Sequence, residues 1–124
     1  LLAYLLKEFI EMRLVIDGKW VDKPAVWWND DTNDVQMIDQ RKIPFKTEIV
    51  TMETFRETSK AIEKMVIRGA PSIGAAAAYG ITQAVFEFHN KANFHDNLKE
   101  AYNTLQLIIQ YICRLCSLVR SPLR

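Results

Sequence analysis

The stretch Arg68-Gly69-Ala70-Pro71-Ser72-Ile73-Gly74 gathers residue types that grip an anion. Arg68 offers a planar fork of N–H donors matched to phosphate oxygens. Gly69 lets the backbone come close to a ligand, and Ser72 adds a hydroxyl. Pro71 suits the first turn of a helix, where its missing N–H leaves no bond unmade. The other first-turn N–H groups point out of the helix and carry partial positive charge, so the combination favours a phosphate monoester. The competing reading is a plain corner with Arg68 in water.

Other candidate groups point to less. Cys113 and Cys116 form a C-x-x-C. No second pair or nearby histidine completes a zinc site, and no βαβ pattern suggests a thioredoxin-like role. Asp30, Asp31 and Asp34 lack the spacing and terminal glutamate of a calcium loop and read as a polar turn between strands. His89 and His95 flank a gap between two predicted helices, without an evident carboxylate partner or pocket for general-base work. Asp39 and Arg41 form either a buried ion pair bracing the sheet against the helices or a support for Arg68. Trp27, Trp28 and Phe45 read as sheet and core residues, the alternative being an aromatic face near Arg68.

These residues need elements to hold them. From Arg13 to Met52 the apolar residues fall into short β-rich runs, RLVIDGKWV, AVWWN, DVQMID and FKTEIVTM. Asp17-Gly18, Lys23-Pro24, the Asp30 to Asp34 cluster and Pro44 separate them, as in a small antiparallel meander. After Thr51 the period changes: Phe55, Ser59, Ile62, Met65 and Val66 recur at helical spacing. Thr54 and Glu57 have capping-box spacing, with Thr51 a rival N-cap. That helix should stop near Arg68-Gly69, since Gly69 tolerates positive φ and Pro71 disfavours helix before it. A second helix starts on Pro71 and runs through Ile81, Ala84, Val85 and Phe88. Its small residues, 74 to 80, invite close approach by another backbone. A third is set up by Asn93 or Asp96 and passes Leu98, Ala101, Tyr102 and Leu105. The fold class is therefore α+β, a small antiparallel N-terminal sheet followed by a helical bundle.

Composition is consistent with one core: 124 residues, 49% hydrophobic and 25% charged. Sixteen basic residues against fifteen acidic leave a net charge of +1 with the signs interspersed, which argues against nucleic acid or a membrane surface as partner. Two nearby cysteines cannot build a secreted disulfide framework, so a cytoplasmic setting is expected. Residues 1–11 precede and abut the first methionine, Met12, and read as an optional extra segment rather than a signal peptide.

The string VIRGAPSIGAAAAYG, 66 to 80, resembles the signature of the methylthioribose-1-phosphate isomerase family, related to initiation factor 2B. Upstream, MIDQRKIPF, 37 to 45, resembles that family's other N-terminal hallmark, and the likeness extends from Val26 to Leu105. The resemblance implies that Arg68, Gly69 and Ala70 bind a sugar-phosphate substrate, without cofactor or metal. It implies conversion of methylthioribose 1-phosphate to methylthioribulose 1-phosphate in methionine salvage. Because phosphate occupies the anomeric oxygen, simple ring opening gives no free aldehyde, so such an enzyme must manage the ring and the proton shift itself. The family assigns the acid–base chemistry to a cysteine and an aspartate in a following Rossmann-like domain, and full-length members form homodimers. No catalytic residue is therefore expected in this chain.

Beyond Leu105 the resemblance stops. Where the family continues with a Thr-Arg-Pro-Thr-Ala-Val-Asn-Leu type of stretch, this chain reads QLIIQYICRLCSLVRSPLR. The expectation is an isomerase N-terminal domain over 12–105 without the Rossmann-like domain, and a divergent, frameshifted or truncated tail over 106–124, inactive as a fragment. The tail itself can be helical, with Ile108, Ile112, Leu115 and Val119 on one stripe, too short to span a bilayer and so buried against the bundle or self-associating. Two alternatives remain: a ribose-1,5-bisphosphate isomerase-like enzyme, and a non-catalytic initiation factor 2B-type regulatory module. The intact Arg-Gly-Ala-Pro motif argues against the second.

Overall fold

The computed structural model describes residues 11–120. Of the expected extra N-terminal segment, residues 1–11, all but Glu11 lies outside the described residues, as do residues 121–124 and the side chains of Cys116, Val119 and Arg120. The α+β class holds: among the described residues strands come first, then three helices. The strands form two sheets where the sequence suggested one meander.

β1 (Glu11–Ile16) and β2 (Lys19–Pro24) make an antiparallel hairpin. Its turn is Asp17-Gly18, with φ of 51° and 76°. Two left-handed residues match the twist of the flanking strands, which is why Asp-Gly marks this corner. β3 (Val26–Asn29), β4 (Asp34–Ile38) and β5 (Ile49–Met52) form the second, three-stranded antiparallel sheet. The break falls at Pro24, which ends the hairpin, and at Ala25, whose carbonyl accepts from Ile38 N–H at 3.0 Å. The acidic cluster is the turn expected: Asp31 N–H donates to Asn29 Oδ1 at 3.1 Å, and Asn33 takes φ 57°.

α1 (Phe55–Glu63) starts at Thr54, whose hydroxyl accepts from Glu57 N–H at 3.3 Å, so Thr51 is not the cap. It ends well before Gly69. Met65 takes φ 58°, with Met65 N–H bonded to Ile62 O and Val66 N–H to Ala61 O, both at 3.0 Å. This is a Schellman closure with methionine where glycine is usual. A search for glycine therefore placed the stop too late. α2 (Ala70–Phe88) and α3 (Phe94–Arg120) follow, and α3 runs unbroken through Leu105 and Gln106.

The helices pack through small and aromatic residues. Phe55 and Phe88 meet edge to face at 5.7 Å, beside buried Ala84 and Ala101. At Gly80 an added Cβ would lie 3.2 Å from Leu105 Cδ1 and 3.4 Å from Thr58 Cγ2. The small-residue run thus admits side chains of α1 and α3 rather than another backbone. Buried Gln83 ties α2 to its neighbours: its amide donates to Met52 O at 2.8 Å, and its carbonyl accepts from the Thr58 hydroxyl.

Among the aromatics, Trp28 packs 5.7 Å from Phe86, and Trp27 donates to Gln36 Oε1 at 2.9 Å. Phe45 corrects the sequence reading: it is 96% exposed, not core. The loop between β4 and β5 is closed by polar bonds instead, Lys42 and Lys46 to Glu48 at 2.7 and 2.8 Å and Lys46 N–H to Lys42 O at 3.0 Å. With those bonds holding the loop, nothing draws Phe45 inward. On α3 the expected stripe also shifts: Leu105 and Ile112 are buried, but Leu115 is 43% exposed.

Candidate functional site

The segment joining α1 to α2 carries the anion-binding candidates. Val66 and Ile67 are buried, which anchors the chain just before the motif. Arg68, Gly69 and Ala70 that follow are all exposed. Gly69 is the N-cap of α2 with φ 89° and ψ 135°, a conformation that L side chains rarely adopt. Its carbonyl accepts the first helical bond, from Ile73 N–H at 2.9 Å. No side chain caps this end and no acidic residue sits in the first turn, while Pro71 lies within it. The N–H groups and the positive end of the helix dipole are thus left for solvent or an anion. Arg68 makes no ion pair among the described residues, so its guanidinium is available. Ser72, the hydroxyl candidate, is buried.

Beside this end lies a groove of about 490 Å³. Gly69, Ala70, Met65 and Ile73 form one wall, and Ile109, Ile112, Cys113 and Ser117 of α3 form the other. A polar, donor-rich rim beside an apolar wall suits a small molecule with an anionic head and an apolar substituent. The sequence reading missed the α3 wall. Its signal was faint: Leu105, Ile109 and Ile112 recur at helical spacing, but nothing local says that the face meets the start of α2.

The loop after β4 meets the segment that leads into Arg68. Asp39 is 1% exposed. Its carboxylate accepts from Arg41 Nη2 at 2.8 Å, Arg41 Nε at 2.9 Å and Arg41 N–H at 3.1 Å. The Arg41 bonds hold the Asp39 carboxyl below its ordinary range, against the opposing effect of burial. Between these two residues, Gln40 N–H donates to Val66 O at 2.9 Å. The two sequence hallmarks are therefore in direct contact.

The remaining candidates stand apart. His89 Nδ1 lies 2.8 Å from Phe86 O at the end of α2. His95 packs edge to face on Phe94 at 5.6 Å, in a surface depression with Asp96, Lys99 and Tyr102. Cys113 is a free, exposed thiol on the groove wall. Among the described residues, no cluster of three or more His, Cys, Asp or Glu could hold a metal ion, and no helix is long and apolar enough to cross a membrane.

Comparison with known proteins places this geometry. No family model matches the chain. Methylthioribose-1-phosphate isomerase of Carboxydothermus hydrogenoformans is 41% identical over 82 residues, 66% of this chain and 23% of that enzyme. Its counterpart from Desulfatibacillum aliphaticivorans is 42% identical over 94 residues, 75% of this chain and 22% of that enzyme. The chain carries an N-terminal portion of the methylthioribose-1-phosphate isomerase family. Solved structures agree: 5-methylthioribose 1-phosphate isomerase from Pyrococcus horikoshii superposes with a TM-score of 0.62 at 28% identity, over 75% of this chain and 29% of that one. Translation initiation factor eIF-2B subunit delta from A. fulgidus gives 0.60 at 35% identity, over 68% and 24%. The chain spans under a quarter of the length of these two isomerases. The structures also bear out the wider initiation-factor-2B-related kinship that the two hallmarks suggested.

Proposed function

We propose that this chain supplies the sugar-phosphate-binding part of a methylthioribose-1-phosphate isomerase, with Arg68, Gly69 and Ala70 on the phosphate. Residues 12–105 form the isomerase-like unit in this reading. The observation that carries it is the uncapped start of α2, where exposed Gly69 and Ala70 rim a groove and the preceding residue, Arg68, has no ion pair among the described residues. An anion placed there gains from the N–H groups, the helix dipole and a charge-assisted pair with the guanidinium. The apolar wall of Met65, Ile73, Ile109 and Ile112 suits the methylthio group. In this reading the described residues bind the substrate rather than move its protons. The acid–base pair of the aldose–ketose conversion belongs to the family's following domain.

Phosphorus NMR of methylthioribose 1-phosphate with added protein tests this. A broadened or shifted phosphate resonance with no ketose product is expected; an unperturbed resonance at millimolar protein removes the proposal. The likeness to eIF-2B subunit delta favours a second reading, a binding module of that superfamily without sugar-phosphate recognition. The same unperturbed resonance would favour it, whereas binding of ribose 1,5-bisphosphate in preference would move the substrate to that related isomerase.

A further inference from the structure

We propose that Asp39 is a positioning residue for the Arg68-Gly69-Ala70 loop, acting through Arg41 and the Gln40–Val66 hydrogen bond; the inference rests on reading that loop as the phosphate site. Asp39 has no path to a ligand of its own, being 1% exposed and spending its carboxylate on three bonds from Arg41. A buried carboxylate is costly unless its lone pairs are filled, so the bonds fix the conformation of residues 39–41 tightly. Asp39 N–H adds a fourth constraint, donating to Glu48 O at 2.9 Å across the mouth of the loop.

The consequence falls on the residue in between. With both neighbours held, Gln40 N–H has one direction, and it meets Val66 O at 2.9 Å. The Gln40 side chain is held as well, its amide 3.5 Å from Met12 Sδ. Val66 lies just after the Schellman closure of α1 and two residues before Arg68. Its carbonyl is thus the last fixed backbone point before the loop, followed only by the buried Ile67 side chain. From that point the chain must reach Gly69 at φ 89° and enter α2. A displacement at Val66 O therefore swings Arg68 and the Gly69 and Ala70 amides together, and an anion site depends on their mutual geometry to within about half an ångström.

Simple bracing of the fold predicts something different. If Asp39 only stabilised the β4–β5 loop, its loss would lower the melting temperature and leave the folded state's loop unchanged.

The test is amide NMR on the full chain, well below its melting point, comparing wild type with Asp39→Asn and the milder Arg41→Gln. Inorganic phosphate serves as the probe. Positioning predicts at least tenfold faster hydrogen exchange at Gln40 and displaced Gly69 and Ala70 resonances in ligand-free Asp39→Asn. It also predicts about fivefold weaker phosphate binding, with the Ala101 resonance unmoved. Arg41→Gln should follow in the same direction by less, and Arg41→Lys should recover part of the loss; these two decide the matter if Asp39→Asn does not fold. Unmoved Gly69 and Ala70 resonances, with or without a lower melting temperature, overturn the proposal. Should wild type bind no phosphate, the site reading falls, while displaced resonances in the ligand-free variants would still establish the link from Asp39 to the loop.

Discussion

Replacing Gly69 by alanine isolates the backbone geometry at the start of α2. An added Cβ meets nothing within 4 Å, so any cost comes from φ 89° and not from a clash. Holding a non-glycine residue in such a conformation costs about 1–3 kcal/mol. Alanine also restricts the unfolded chain, which returns about 0.4–1 kcal/mol. The net expectation is a destabilisation of about 1–2 kcal/mol, or a fall in melting temperature of about 4–8 °C for a domain of this size. Gly74→Ala is the matched control: it is exposed in the same helix, has open space around its Cβ position and shows no positive φ. There alanine should stabilise by about 0.5–1 kcal/mol through helix propensity. Urea unfolding of both variants reads the difference directly. Equal stability of the two, or a Gly69→Ala variant firmer than wild type, would refute the argument that the left-handed entry to α2 requires glycine.

Three further outcomes follow from named contacts. Gln83→Leu removes the partner of Met52 O and of the Thr58 hydroxyl in a buried setting, which should cost about 2–4 kcal/mol in urea unfolding. Gly80→Val drives methyl groups against Leu105 and Thr58 and should cost about 1–3 kcal/mol by overpacking, the opposite of the usual gain from replacing a helical glycine. Asp39 is held below the ordinary carboxylate range of about 3.9 by its Arg41 bonds. A depressed folded-state value means its contribution is present above the unfolded value and is lost as pH falls through the folded one. Stability measured from pH 6 down to pH 2.5 should therefore drop below about pH 4. Asp39→Asn should flatten that drop more than Glu48→Gln does, although Glu48 is lowered too, by Lys42 and Lys46.

Much of this architecture is written in local signals. Asp17-Gly18, Thr54 and Pro71 mark their corners because turn and cap preferences act over a few residues and need no tertiary partner. What escaped the sequence depends on long-range packing. The α1 stop is set by Met65 at positive φ, which its neighbours' hydrogen bonds enforce and no glycine advertises. Phe45 looks like core by type, yet it is exposed on a loop closed by the Lys42, Lys46 and Glu48 bonds. The division into two sheets falls at Pro24 and Ala25, between β2 and β3. The helix start that carries the proposed anion loop is legible in Gly69-Ala70-Pro71 because helix starts have a composition. The groove wall from Ile109 to Ser117 was not, since it arises only when α3 packs across α2. The Gln40–Val66 bond, on which the proposed positioning role of Asp39 rests, likewise joins residues far apart in the sequence.

Arg68, Gly69 and Ala70 are proposed to hold the phosphate of a sugar phosphate. The most direct measurement is an amide NMR titration with methylthioribose 1-phosphate on wild type and Arg68→Ala. Saturable shifts centred on the Gly69, Ala70 and Ser72 amides are expected, with binding about tenfold or more weaker in Arg68→Ala, the loss of one charge-assisted pair. Shifts centred elsewhere, or equal affinity in the two proteins, would contradict it.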